Sequence, residues 1–213
     1  MATLLAQALA AQEKERRAVT RVLQEDIGQA LTALAVRLQV VENGCDNPQC
    51  LTLISEARAI VADVLRHTER LTHRLYPPAL ESQGLGPALE VYAQDFAHLT
   101  HLQVELDLEV LPSRLPTDVE VALFRIVQEA LEGSRRYACA SAVRIVLRRL
   151  EGHIYMALQD DGIGYPADVL SDWCLLRMSQ RAEALGGSCT FSMASGQGAH
   201  IEVIIPVECE EDR

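Results

Sequence analysis

Apolar residues recur through the first part of the chain at helical spacing. Ile27, Leu31, Leu34, Leu38 and Val41 step by four, three, four and three, the stripe of a helix packing at a shallow angle in a bundle. Residues 1 to about 42 hold no Gly or Pro before Gly28 and are rich in Ala, Leu, Gln, Glu and Arg, which favour helix. Asn43-Gly44 and Asn47-Pro48 end this helix and let another begin. The second spans about Leu51 to Leu75, with Ala57, Val61, Val64, Thr68, Leu71 and Leu75 on its stripe. Tyr76-Pro77-Pro78 stops it, because a proline lacks the helical donor and disfavours helix in the residue before it. Two antiparallel helices alone cannot bury an apolar stripe on both partners. A homodimer forming a four-helix bundle is the expected solution, with packing of the hairpin on the rest of its own chain as the alternative.

From Gly84 the pattern changes. A helix over Gly86 to about Thr100 precedes Val104 to Val110, which alternates as a strand does. Pro112 and Pro116 bracket a turn, and Asp118 to Ala130 reads as a helix with Val119, Leu123, Ile126, Val127 and Ala130 on its buried side. Strands follow at Ala142 to Leu150 and Ile154 to Gln159, joined at Glu151-Gly152. A helix over about Leu175 to Ala184 ends at Gly186-Gly187, and the last strands are Ser188 to Met193 and Ala199 to Val207. The expected fold class is α+β: a helical hairpin over 1–80, an α/β sandwich with one sheet over 84–207, and an acidic tail over 208–213.

The bulk numbers fit this layout. The chain has 213 residues, 49% hydrophobic and only 4% aromatic, which favours helix packing over a β-sandwich. A formal charge of −11 argues against nucleic acid or an anionic membrane as partner and leaves proteins. No apolar run approaches the ~20 residues of a membrane span, and the first residues carry no basic segment of a signal peptide, so a cytoplasmic location is expected. Six cysteines need not pair there. Cys45 and Cys50, the one close pair, read as part of a helix–helix turn, with a local disulfide or half a metal site as alternatives.

Several motifs then appear in order. They are Glu15-Arg16; Gly28-Gln29-Ala30-Leu31-Thr32-Ala33-Leu34; Leu75-Tyr76-Pro77-Pro78-Ala79-Leu80; Phe124-Arg125-Ile126-Val127-Gln128-Glu129-Ala130-Leu131; Asp160-Asp161-Gly162-Ile163-Gly164; Arg181-Ala182-Glu183-Ala184-Leu185-Gly186-Gly187; and Gly196-Gln197-Gly198. In these the span from Glu15 to Pro206 resembles the core of sensor histidine kinases of the NarL/LuxR-partnered class. The resemblance implies a dimerising, phosphoacceptor helical hairpin followed by a GHKL-type ATP-binding domain.

The departures from that pattern fall on the chemistry. The phosphoacceptor histidine, whose imidazole attacks the γ-phosphate, stands at Gln24, and an amide is no such nucleophile. None of the six histidines (67, 73, 98, 101, 153, 200) takes its place by motif; His67 and His73, on the second helix, are expected as surface or packing residues. Glu129 of the asparagine-containing motif is kept, but the magnesium-holding asparagine is Gly133, which offers no side-chain oxygen, and Tyr137 stands where a histidine is usual. Asp160 matches the adenine-reading aspartate, with Gly162 and Gly164 letting backbone approach the base, and Gly196 and Gly198 are further remnants of the nucleotide site. The second glycine-rich box matches Asp172 to Met178, with its glycines replaced by Asp172, Cys174 and Arg177. The lid before it is short.

The resemblance therefore implies a catalytically degenerate, pseudokinase-like protein without autophosphorylation. No cofactor or metal is expected, and ATP and magnesium bind weakly or not at all. Its partners would be a second copy and a response regulator or histidine kinase, docked through the first helix. An alternative is a phosphatase for the regulator's phosphoaspartate. There Gln29, four residues beyond the acid position Glu25, orients a water, which is positioning chemistry and needs no histidine. Another is a nucleotide-sensing or anti-sigma-like GHKL module that binds adenine through Asp160.

Overall fold

The structure, a computed structural model, describes residues 2–111, 113–165, 173–193 and 198–207. The chain divides into two compact units, Thr3–Pro78 and a second that begins at Ala79.

The first unit is a helical hairpin. Helix α1 (Ala2–Val22) runs through a π-helical turn (Leu23–Gly28) into α2 (Gln29–Asn43), and α3 (Pro48–Leu75) returns alongside. Asn47 starts α3: its side chain accepts from the backbone N–H groups of Gln49 and Cys50, with Pro48 at the first helical position, where its missing donor costs nothing. The Arg58 guanidinium meets the Glu42 carboxylate across the hairpin near its tip. The two expected stripes divide over two faces. Val61 and Thr68 are buried, as is Ile54, whereas Ile27, Leu34, Val41, Val64 and Leu71 are exposed in the single chain. Leu31 and Leu38 are half-buried. The apolar pattern of α2 and α3 is thus wider than one helix–helix contact can cover.

At the tip, Cys45 and Cys50 are free thiols. A hydrogen bond with Cys45 holds the Cys50 thiol above its ordinary range, and the Cys45 thiol also donates to the Asn47 carbonyl. Mild oxidation of the folded chain is expected to join them: tryptic mapping should recover one Cys45–Cys50 cross-linked peptide, and the Cys45→Ser variant should lose it. Recovery of both thiols free after treatment would contradict this geometry.

The second unit opens with the short helix α4 (Pro78–Ser82), then α5 (Leu85–Thr100), β1 (Gln103–Leu108), α6 (Thr117–Gly133), β2 (Ala142–Leu150), β3 (His153–Asp160), α7 (Trp173–Glu183), β4 (Ser188–Met193) and β5 (Ala199–Pro206). The five strands lie in the order β1-β2-β3-β5-β4, parallel between β1 and β2 and antiparallel elsewhere. Period-two alternation aims one set of side chains at the core. Ile145 pairs with Leu158 and Leu147 with Met156, and these continue to Ile201 and Val203 on β5. All six are almost fully buried. Helix α6 supplies the other half of that core with Leu123, Phe124, Ile126, Val127 and Leu131.

The opposite sheet face is polar. Arg148 and Arg144 reach Asp107 on the neighbouring strand, and their hydrogen bonds hold its carboxyl below the usual range, Arg148 first. Tyr155 donates to Glu202 at 2.9 Å. This is the expected α+β class, with the strand and helix boundaries within a few residues of the periodicity reading. Helix α6 runs on through a second π-helical turn, Ser134–Ala138, which no spacing of apolar residues predicted.

Candidate functional site

Two places carry the residues singled out in the sequence, one in each unit. In the second unit they gather at the end of α6, the end of β3 and the start of β5. Asp160, the last residue of β3, is 4% exposed, and its carboxylate accepts three hydrogen bonds within the chain. Ser134 donates its hydroxyl at 2.8 Å, and the N–H groups of Gly162 and Ala199 donate at 3.0 Å each. Gly198 makes the last of these possible. With φ +77°, it lies so close that a Cβ there would stand 1.9 Å from the Asp160 carbonyl oxygen. Gly162 is required for a second approach: its Cβ would meet the Ala138 carbonyl oxygen at 2.4 Å. The glycine after it, Gly164, also has positive φ. At Gly162 and Gly198 the absence of a side chain thus lets this chain's own backbone come close.

Beside Asp160, the Asp161 carboxylate caps the start of β2, accepting from the Ser141 hydroxyl and from the N–H groups of Ser141 and Ala142. The Ser141 bond, followed by that of Ala142, lowers its pKa. Asp161 thus ties β2 to the end of β3.

The space beside Gly133 is filled. A Cβ on Gly133 would lie 2.7 Å from the Tyr165 hydroxyl and 3.0 Å from its ring, so the phenol occupies the volume that a longer side chain would need. Tyr165 is held there by Phe191, edge-on at 5.4 Å, by Tyr137 at 6.1 Å, and by its N–H on the Met193 sulfur at 3.1 Å. One turn earlier on α6, Glu129 is mostly buried and receives the Arg177 guanidinium at 3.1 Å and that of Arg181 at 3.7 Å, both from α7. Arg177, which stands at a glycine position of the second glycine-rich box, is thus the cation opposite Glu129. Burial, with the Glu129 charge adding to it, pushes the neighbouring Cys189 thiol up to about 11, which keeps it protonated and unreactive.

Asp172 and Gly196 lie outside the described residues, as does the side chain of Cys174. Sequence reasoning gave no role to Tyr165, Ser134 or Arg181. Their linear signs were slight: Tyr165 follows Gly164, Ser134 follows Gly133, and Arg181 opens a recognised motif. Among the described residues no three His, Cys, Asp or Glu side chains converge as a metal ion would require.

In the hairpin a groove of about 830 Å³ runs between the first helix and α3. The first helix lines it with Leu23, Gln24, Gly28, Gln29, Thr32 and Ala33, and α3 with Leu65, Thr68, Glu69, Thr72 and His73. Gln24 and Gln29 are exposed. Glu25 is exposed too but is not among the groove's lining residues, so Gln24 and Gln29 come together and Glu25 stands apart. Gln24 and Gln29 are five positions apart, about 140° around an α-helix. The π-helical turn Leu23–Gly28 closes its hydrogen bonds over five residues and so returns the chain to nearly the same side. His67 is exposed outside the groove, while His73 is half-buried within it.

A helical hairpin followed by a five-stranded α/β unit matches the fold of histidine kinase cores with a GHKL-type domain. Its homologues are histidine kinases. It is 30% identical over 212 residues to the signal transduction histidine-protein kinase/phosphatase DegS of Brevibacillus brevis, covering 96% of this chain and 54% of that protein. It is 24% identical over 207 residues to the oxygen sensor histidine kinase NreB of Staphylococcus carnosus, covering 96% of this chain and 60% of that one. The chain thus spans a little over half the length of these relatives. Among solved structures, the histidine kinase domain of the Erythrobacter litoralis EL346 blue-light activated histidine kinase shares the fold. The TM-score is 0.55 at 18% identity, over 84% of this chain and 94% of that domain. No family model matches the chain. Among the described residues, no helix is long and apolar enough to cross a membrane.

Proposed function

We propose that this chain regulates two-component signalling without being a kinase itself. It would dock a response regulator, or a partner kinase, through its hairpin and change the lifetime of the partner's phosphoryl group. The observation that carries this reading is the occupied nucleotide region. Tyr165 fills the space beside Gly133, Arg177 takes the charge of Glu129, and Asp160 spends its carboxylate on Ser134, Gly162 and Ala199. A purine would have to displace a buried, fully bonded carboxylate's partners, and a magnesium ion would find a guanidinium in its place. The same facts weigh against an adenine-sensing module. The exposed apolar residues Leu34, Val41, Val64 and Leu71 favour a homodimeric four-helix bundle.

A phosphatase activity is a second reading, favoured by the exposed Gln29 amide in the groove; the relative named a kinase/phosphatase joins both activities in one protein. The test uses labelled ATP and, separately, NarL-type receiver domains phosphorylated with acetyl phosphate. The chain should take no label from ATP, should bind at least one phosphorylated receiver, and should shorten its phosphate lifetime. Gln29→Ala is expected to remove about tenfold or more of that acceleration, the scale of losing one positioned donor. Self-labelling from ATP would overturn the pseudokinase reading. A shortened lifetime indifferent to Gln29→Ala would remove the phosphatase role of that residue, and binding without any change in lifetime would leave docking as the function.

A further inference from the structure

We propose that His73 is a phosphoryl acceptor, taking a phosphoryl group from an acyl phosphate, the aspartyl phosphate of a docked receiver. This rests on the docking reading above and adds a covalent site to it. Because α3 runs antiparallel to the first helix, residues farther beyond the hairpin tip face residues farther before it. By that register Leu65 falls at the level of Thr32 and Ala33, and His73 at the level of Leu23 and Gln24, and all of them line the groove. An imidazole is therefore absent from position 24 but present across the groove from it. His73 is the one histidine lining this groove and is half-buried there.

The hydrogen-bonding surroundings fit a phosphoryl group. Three threonines line the groove, yet each donates its hydroxyl proton to its own helix: Thr32 to the Gly28 carbonyl, Thr68 to Val64 and Thr72 to Glu69, at 2.7–2.9 Å. The lining donors left for a ligand from the first helix are then the side-chain amides of Gln24 and Gln29, brought to one side by the π-helical turn. Glu69 lies one helical turn before His73 on the same helix and lines the same groove, within reach of the ring at the spacing of helical neighbours.

The step balances without an added reagent. A lone pair of an imidazole nitrogen forms the N–P bond as the P–O bond to the acyl carboxylate breaks. The carboxylate leaves with the electron pair, and the proton on the other ring nitrogen passes to Glu69 or water. The amides of Gln24 and Gln29 donate to the phosphoryl oxygens, over which charge is spread in such transfers. Water then hydrolyses the phosphohistidine.

The full chain is incubated with receiver domains of the NarL type carrying labelled aspartyl phosphate. Label should pass to this chain in a form stable to alkali and lost in acid, and peptide mapping of the wild-type protein should locate it at His73. His73→Gln, which keeps the length and polarity of the side chain, should lower the label at least tenfold, while His67→Gln on the same helix should leave it unchanged. A receiver whose phosphate lifetime shortens with no label on the chain, or label that maps elsewhere or survives His73→Gln, overturns the assignment of His73 alone. If no phosphorylated receiver is bound or altered, the docking reading falls, and the acceptor role falls with it.

Discussion

Asp160→Ala is expected to lower the melting temperature of the second unit by roughly 10 °C or more, whether or not nucleotide is present. An aspartate that served chiefly to hold a nucleotide would be missed mainly in binding. Here the carboxylate is 4% exposed and accepts from Ser134, Gly162 and Ala199. Alanine removes an acceptor from three donors at once, two of them backbone N–H groups in a buried position. Each buried donor left without a partner costs about 1–3 kcal/mol, so a total near 3–4 kcal/mol is expected. For a unit of this size that corresponds to about 3–4 °C per kcal/mol. Thermal unfolding followed by circular dichroism, with and without ATP, checks it. An unchanged melting curve combined with lost nucleotide binding would show that Asp160 serves a ligand instead.

The second large effect is expected at Gly198→Ala. A Cβ would lie 1.9 Å from the Asp160 carbonyl oxygen, and the residue has φ +77°. The obstacle is backbone, so no side-chain rotation can relieve it, and the left-handed conformation adds about 1 kcal/mol for a non-glycine residue. The start of β5 would have to withdraw, stretching the bond from Ala199 N–H to Asp160. A destabilisation of about 3 kcal/mol or more is expected. Because both substitutions act on the same contact, the double variant should be less destabilised than the sum of the two. Denaturant unfolding of the four proteins measures this directly. Full additivity would mean that Gly198 and Asp160 support the fold independently.

These two predictions also mark a difference between motif and mechanism. Asp160-Asp161-Gly162-Ile163-Gly164 is a recognisable segment in the sequence, and its backbone course follows from the same requirement for glycine that the motif suggests. What the glycines make room for is different. Gly162 admits the Ala138 carbonyl and Gly198 the Asp160 backbone, while Gly133 leaves space that Tyr165 takes. Arg177 shows the same reversal. In the linear pattern it is a lost glycine; in the fold its guanidinium meets Glu129, joining α6 to α7 by a charge pair.

The α+β class, the five strands and the order of the helices were legible in the sequence because alternation and 3.6-residue spacing are local properties, and glycine and proline mark their ends. That a glutamine stands at position 24 and a glycine at position 133 was legible too, because each is a residue type at a motif position. Contacts across elements were not. That Tyr165 lies over Gly133, that Ser134 bonds Asp160, and that His73 shares a groove with Gln24 depend on how separate segments pack. The groove depends further on a π-helical turn at Leu23–Gly28, one extra residue within a helix whose apolar periodicity gives no sign of it. Sequence determined which residue types stand at the motif positions; tertiary packing decided what lies beside each of them and which side chains share the groove.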